Sequence, residues 1–188
     1  MRTLIALSSL LLALPAWAEE RVTHRFQSSV PLAGIRRVVV DIPSGDITIR
    51  NGAANQLAVS GVVSREADGP PSRDKEQSIV DHTSVAFVVR GGEAFVERKY
   101  GPDAQGWRAQ SFSDYKVDLA LPPGISIDVR TRTGEVLIDG SFGDIDVDLR
   151  AGEVVVRLPP AEVGGLRASC RIGEVRTTIA NEIVVREG

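Results

Sequence analysis

Side chains able to do chemistry are few in this chain. Histidine occurs only at positions 24 and 82, and cysteine only at 170. His24 and His82 each lie in a polar stretch, without the acid, serine or second ligand that general-base or metal chemistry would place at a known spacing. Both read as solvated surface groups. Cys170 is a candidate free or intermolecular thiol, but one cysteine forms no internal disulfide and no cysteine metal cluster. The sequence contains no Gly-x-Ser-x-Gly elbow, no phosphate loop and no metalloprotease helix. No catalytic residue, cofactor-binding residue or metal ligand is therefore assigned, and the chain is expected to be non-enzymatic. The enzymatic alternative is glycan hydrolysis, which needs two carboxylates at a set separation, because aspartates are plentiful.

Five acids share one context, each directly after a glycine: Gly45-Asp46, Gly134-Glu135, Gly143-Asp144, Gly152-Glu153 and Gly173-Glu174. Carboxylates gathered this way would suit calcium, a hard cation that takes several oxygen ligands. Two features argue for a structural role in turns instead. The Gly-Gly-x-Gly-x-Asp pattern of calcium-binding β-rolls is missing. Arg132, Arg150 and Arg171 each stand two residues before a glycine, where charge-assisted bonds are expected to neutralise the neighbouring acids. A third group is aromatic. Trp107, Phe112 and Tyr100, with Tyr115 nearby, crowd one polar stretch, where exposed rings would stack on a sugar or anchor a partner and buried ones would cap the core.

The elements that carry these residues alternate apolar and polar side chains with period two, the signature of half-buried strands. Aligned on the glycines, the segments form a repeat. Ile127 to Ile138 contains Gly134, Ile145 to Val156 contains Gly152, Leu166 to Thr177 contains Gly173, and Val38 to Ile49 contains Gly45. Positions three, five and seven before the glycine are mostly apolar, as are two and four after it. Each copy thus reads as strand, tight glycine–acid corner, strand, with glycine supplying the positive φ that such corners need. One copy cannot bury its apolar face alone, but stacked copies can. The expected fold is all-β: a β-solenoid-like or rolled sheet, with an antiparallel meander or sandwich as the alternative. Cys170 occupies the inward slot of Ile42, Thr131 and Leu149, so the buried reading of its thiol is favoured. Asp128, Arg130, Asp146, Asp148, Arg157, Arg167 and Arg176 face outward, as a solubilising surface with cross-strand ion pairs or as a contact face.

Met1-Arg2-Thr3, the apolar run Leu4 to Leu14 and the Ala16-Trp17-Ala18 site make a secretory signal peptide over 1–18. An N-terminal segment, 19–34, precedes a single repeat domain, 35–188. Loops are expected over about 64–83 and 101–113, and Gly91-Gly92 marks a hairpin between Val85–Arg90 and Ala94–Tyr100. The apolar run is too short to span a bilayer, and no second one follows, so no stable membrane span is expected. The formal net charge of −3 lacks the basic excess expected of a nucleic-acid binder.

Leu121-Pro122-Pro123-Gly124 leading through Ile125 to Gly134-Glu135-Val136 resembles the DUF4097 group of bacterial envelope proteins, also labelled adhesins or toastrack-type repeat domains. Val40-Asp41-Ile42-Pro43-Ser44-Gly45-Asp46-Ile47 fits the same pattern. The resemblance implies an all-β repeat fold outside the cytoplasm, in the periplasm or at the cell surface, with no catalytic residues. The expected partner is an envelope protein or a second copy of the chain; a cell-surface glycan is the second class.

Overall fold

The computed structural model describes residues 20–67, 70–102, 113–159, 164–179 and 182–187. The expected signal peptide and both Trp107 and Phe112 lie outside them. The described residues form one 11-stranded sheet and one helix. The strands are β1 (Glu20–Pro31), β2 (Arg37–Asp41), β3 (Asp46–Asn51), β4 (Gln56–Ala67), β5 (Thr83–Arg90), β6 (Glu93–Tyr100), β7 (Asp114–Leu121), β8 (Ser126–Asp139), β9 (Ile145–Leu158), β10 (Leu166–Ile179) and β11 (Glu182–Glu187), and the helix is α1 (Pro70–Asp81).

The repeat units are parallel rungs. β8, β9 and β10 stack in register, so that Gly134 faces Gly152 and Gly152 faces Gly173. On the other side of β8, two strands together make one rung. β2 pairs with its first half and β3 with its second, both parallel. β6 and β7 complete a further rung outside β2 and β3. Antiparallel pairing is confined to the flanks: β1 on β4, β4 on β7, β5 on β6, and β11 on β10. The architecture is the all-β rolled sheet expected from the repeat, and the meander alternative describes only its margins.

Each rung bends at its glycine, and the apolar phase shows why. Thr131 and Val136 both face the core, yet they are five residues apart, and a straight strand would send them to opposite faces. Gly134 resolves the conflict with φ 128°, in a region other residues reach only under strain. The two half-sheets then close over one cluster in which Val38, Val40, Ile47, Ile49, Ile127, Val129, Val136, Ile138, Val147, Leu149, Val154 and Val156 are almost wholly buried. The stack adds a requirement that a single unit cannot show. A Cβ on Gly134 would lie 2.1 Å from the Gly45 carbonyl oxygen, one on Gly152 1.9 Å from that of Gly134, and one on Gly173 1.9 Å from that of Gly152. The glycines thus form a ladder packed backbone against backbone. Gly143, the half-step copy, is not part of it. It lies in the link between β8 and β9, with no positive φ.

Two expectations are corrected. The 19–34 stretch is no separate segment: β1 runs through it and pairs with β4 along its whole length, its inward Val22 and Phe26 joining the core. The 64–83 loop is instead the end of β4 followed by α1. Proline suits the first turn of a helix, where backbone N–H groups lack partners anyway, and Ile79 and Val80 at the other end are buried. The buried Arg65 of β4 pairs with Glu76 of α1 and donates to Ser113 Oγ at 3.0 Å, tying helix to sheet. The Gly91-Gly92 hairpin forms as expected, with φ 62° and 79°, a left-handed pair that matches strand twist.

Candidate functional site

In-register parallel stacking places like residues beside like. The acids after the ladder glycines therefore form a column, Glu135 beside Glu153 beside Glu174. Arg132, Arg150 and Arg171, all two residues before a glycine, form a second column on the outside of the bend. Like-on-like stacking overturns the expected neutralisation of the corners by these arginines. Among the described residues none of the three has a carboxylate partner. The counter-charge comes from Arg176, where the repeat breaks: Leu137 and Val155 precede it in register. Arg176 reaches Glu153 at 3.2 Å and Glu174 at 2.5 Å. Its hydrogen bond holds the Glu174 carboxyl below the usual range.

The other two corner acids act on backbone. Asp46 Oδ1 accepts from the Glu135 N–H at 3.3 Å and Asp144 Oδ1 from the Gly165 N–H at 2.8 Å, each on the next rung. Asp46 and Asp144 thus fasten successive rungs, as short acids at turns do. Among the described residues no three His, Cys, Asp or Glu side chains converge on a metal-sized site.

Three unpaired arginines in a row are the least compensated charges on this surface. Arg132, Arg150 and Arg171 line a groove of about 550 Å³ with Arg98, Arg130, Asp41, Asp148, Pro43 and Thr131. Pro43 marks the row's position on the β2–β3 rung, where its carbonyl accepts from the Arg132 N–H at 3.0 Å. Arg98 fills the end of the row, its guanidinium 5.4 Å from the Tyr100 ring and 6.0 Å from the Tyr115 ring. Arg130 is engaged by Asp128, which also takes Arg37 at 2.8 Å. Asp128, on the outer face, is thereby only 4% exposed. The Thr131 hydroxyl is buried without a hydrogen-bond partner.

A second feature adjoins the row at Arg171. β11 covers β10 only from Glu174 to Ile179. Along Leu166–Ile172, β10 pairs with β9 on one side, and no described strand pairs with the other. Ile172, at the end of this stretch, is 65% exposed.

The remaining sequence-derived candidates are dispersed. His24 sits 3.4 Å from Asp81, and His82 Nδ1 lies 2.8 Å from the Ser78 carbonyl. Cys170 is buried in the inward slot with Leu149 and Thr131, its thiol 3.4 Å from the Gly152 carbonyl. Tyr115 is core, and Tyr100 packs partly against Ile79. Burial, with Tyr115 alongside, pushes the Tyr100 phenol well above its ordinary value. Neither described tyrosine offers a bare stacking platform. Sequence reasoning noted the arginines but missed the row; their shared phase in three consecutive copies was the signal.

No family model matches the chain, and no curated protein does. Among solved structures, a protein from Clostridium sporogenes ATCC 15579, named for a suggested role in cell adhesion, is similar to it with a TM-score of 0.44 and 9% sequence identity, over 82% of this chain and 98% of that one.

Proposed function

We propose that this chain is an exported, non-enzymatic interaction module of the adhesin-like DUF4097 type, and that it binds an extended segment of a protein partner along the open edge of β10. The observation that carries the reading is the stretch Leu166–Ile172, whose second side no described strand pairs. An unpaired strand edge presents backbone donors and acceptors ready for another strand, and Ile172 adds an exposed apolar anchor. Arg167 and Arg171, on the outer face of that edge, select the occupant. A second copy docked edge to edge would bring arginine against arginine, whereas a partner strand with acids at alternate positions would be matched. Export rests on the basic start, short apolar run and Ala16-Trp17-Ala18 site of the sequence.

The test uses the full mature chain, wild type and Ile172→Glu, with Arg25→Glu on β1, a larger change of charge away from the edge, as a control. Envelope and extracellular proteins that bind the wild type are purified and titrated against each form. At least one partner is expected to weaken about tenfold or more with Ile172→Glu, about 1.4 kcal/mol, and to be unchanged by Arg25→Glu. Partners indifferent to Ile172→Glu would remove the edge from the function, and turnover of any member of a glycan panel would overturn the non-enzymatic reading.

A further inference from the structure

The arginine row points to a ligand of its own, through side chains and not through the edge. We propose that the groove lined by Arg98, Arg132, Arg150 and Arg171 binds an acidic glycan, a polymer carrying anionic groups and free hydroxyls together. Adjacent rungs are about 4.8 Å apart, so the row offers a guanidinium at that interval across the strands. Each is a planar fork suited to a carboxylate or sulfate, and among the described residues Arg132, Arg150 and Arg171 have no carboxylate partner. In a chain of net charge −3, such a cluster is a local positive patch that attracts anions.

The lining selects the kind of anion. Asp41 and Asp148 share the groove. As carboxylates they only accept hydrogen bonds, so they repel a ligand that is purely anionic and favour one that also brings hydroxyl donors. A peptide lying across the rungs would find the backbone of β8 and β9 already paired on both sides, and would gain no strand pairing. A single-stranded nucleic acid needs open aromatic faces for its bases, but Arg98 lies over the Tyr100 and Tyr115 rings. A sugar acid polymer meets each of these conditions.

Direct titration of the full mature chain tests this at moderate salt. The probes are polygalacturonate (a carboxylate glycan), heparin (a sulfated one), neutral dextran, polyglutamate and single-stranded DNA. Binding to polygalacturonate or heparin, whichever is tighter naming the anionic group, is expected to exceed that to the other three. Arg150→Glu is expected to weaken it by about tenfold or more with an unchanged melting temperature, since Arg150 is exposed. Arg25→Glu is expected to leave it intact. Polyglutamate or DNA binding as tightly as the acidic glycans would overturn the assignment. So would equal loss from Arg25→Glu, which would mean diffuse charge attraction, or equal binding of dextran. Ile172→Ser, which removes the exposed apolar anchor of the edge without adding charge beside Arg171, is expected to spare glycan binding, so this site and the β10 edge fail or hold separately.

Discussion

Gly152→Val is expected to destabilise the fold by about 2–6 kcal/mol, a large share of what holds it together. Two costs combine. A β-branched residue held at φ 140° carries backbone strain of about 1–3 kcal/mol. The new Cβ would also stand 1.9 Å from the Gly134 carbonyl oxygen, and overpacking costs a further 1–3 kcal/mol or so. That carbonyl belongs to the backbone of an interior rung, so it cannot move aside without shifting β8 against β9. Against a typical domain stability of about 5–15 kcal/mol, the loss is severe. Gly124→Ala separates the two costs. Gly124 has φ 78° but open space where a Cβ would go, so only strain of about 1 kcal/mol is expected there. Urea midpoints of the two variants check the difference, and equal small shifts would mean that the rungs do not approach so closely.

Glu76→Gln is expected to cost about 3–5 kcal/mol, the usual penalty for stripping the partner from a buried charge. Arg65 and Glu76 side chains are 7% and 14% exposed. Arg65 is fixed from its other side by Ser113, so its guanidinium cannot swing out to water when the carboxylate is lost. Replacing both members by apolar residues, as in Arg65→Met with Glu76→Leu, is expected to recover most of the loss, because the desolvated charge then disappears. Chemical denaturation of the single and double variants gives the comparison. A loss under about 1 kcal/mol for Glu76→Gln would show a pair exposed to solvent.

How much of this was legible in the sequence depends on the residue. The copies around Gly134, Gly152 and Gly173 share one phase, and phase alone sufficed for the bend, the core face and the inward position of Cys170. α1 escaped because its core contacts gather at Ile79 and Val80, so Pro70–Asp81 shows no helical periodicity; the prolines at its start were the usable sign. β1 escaped because its inward positions include His24 and Ser28 beside Val22 and Phe26, which dilutes the alternation. The arginines were assigned to the wrong neighbours for a different reason. Opposite charges close in sequence suggest pairing, but a parallel in-register stack sets each residue against its own equivalent. Arg132, Arg150 and Arg171 became a row instead of three neutralised corners, and Arg176, which has no arginine equivalent on β8 or β9, took Glu153 and Glu174.

The repeats stack parallel and in register, and the glycine ladder, the arginine row and the open edge all follow from that stacking. Asp148 and Ser169 are exposed partners on β9 and β10. Neighbouring strands about 4.8 Å apart fall within the Cα range of a disulfide. In a Cys170→Ala background, Asp148→Cys with Ser169→Cys is expected to lose both thiols on mild oxidation and to gain stability on the order of 3 kcal/mol from closing the intervening loop. An antiparallel hairpin would set Ser169 near Val155 instead, and two thiols that stay free under oxidation would contradict the parallel stack.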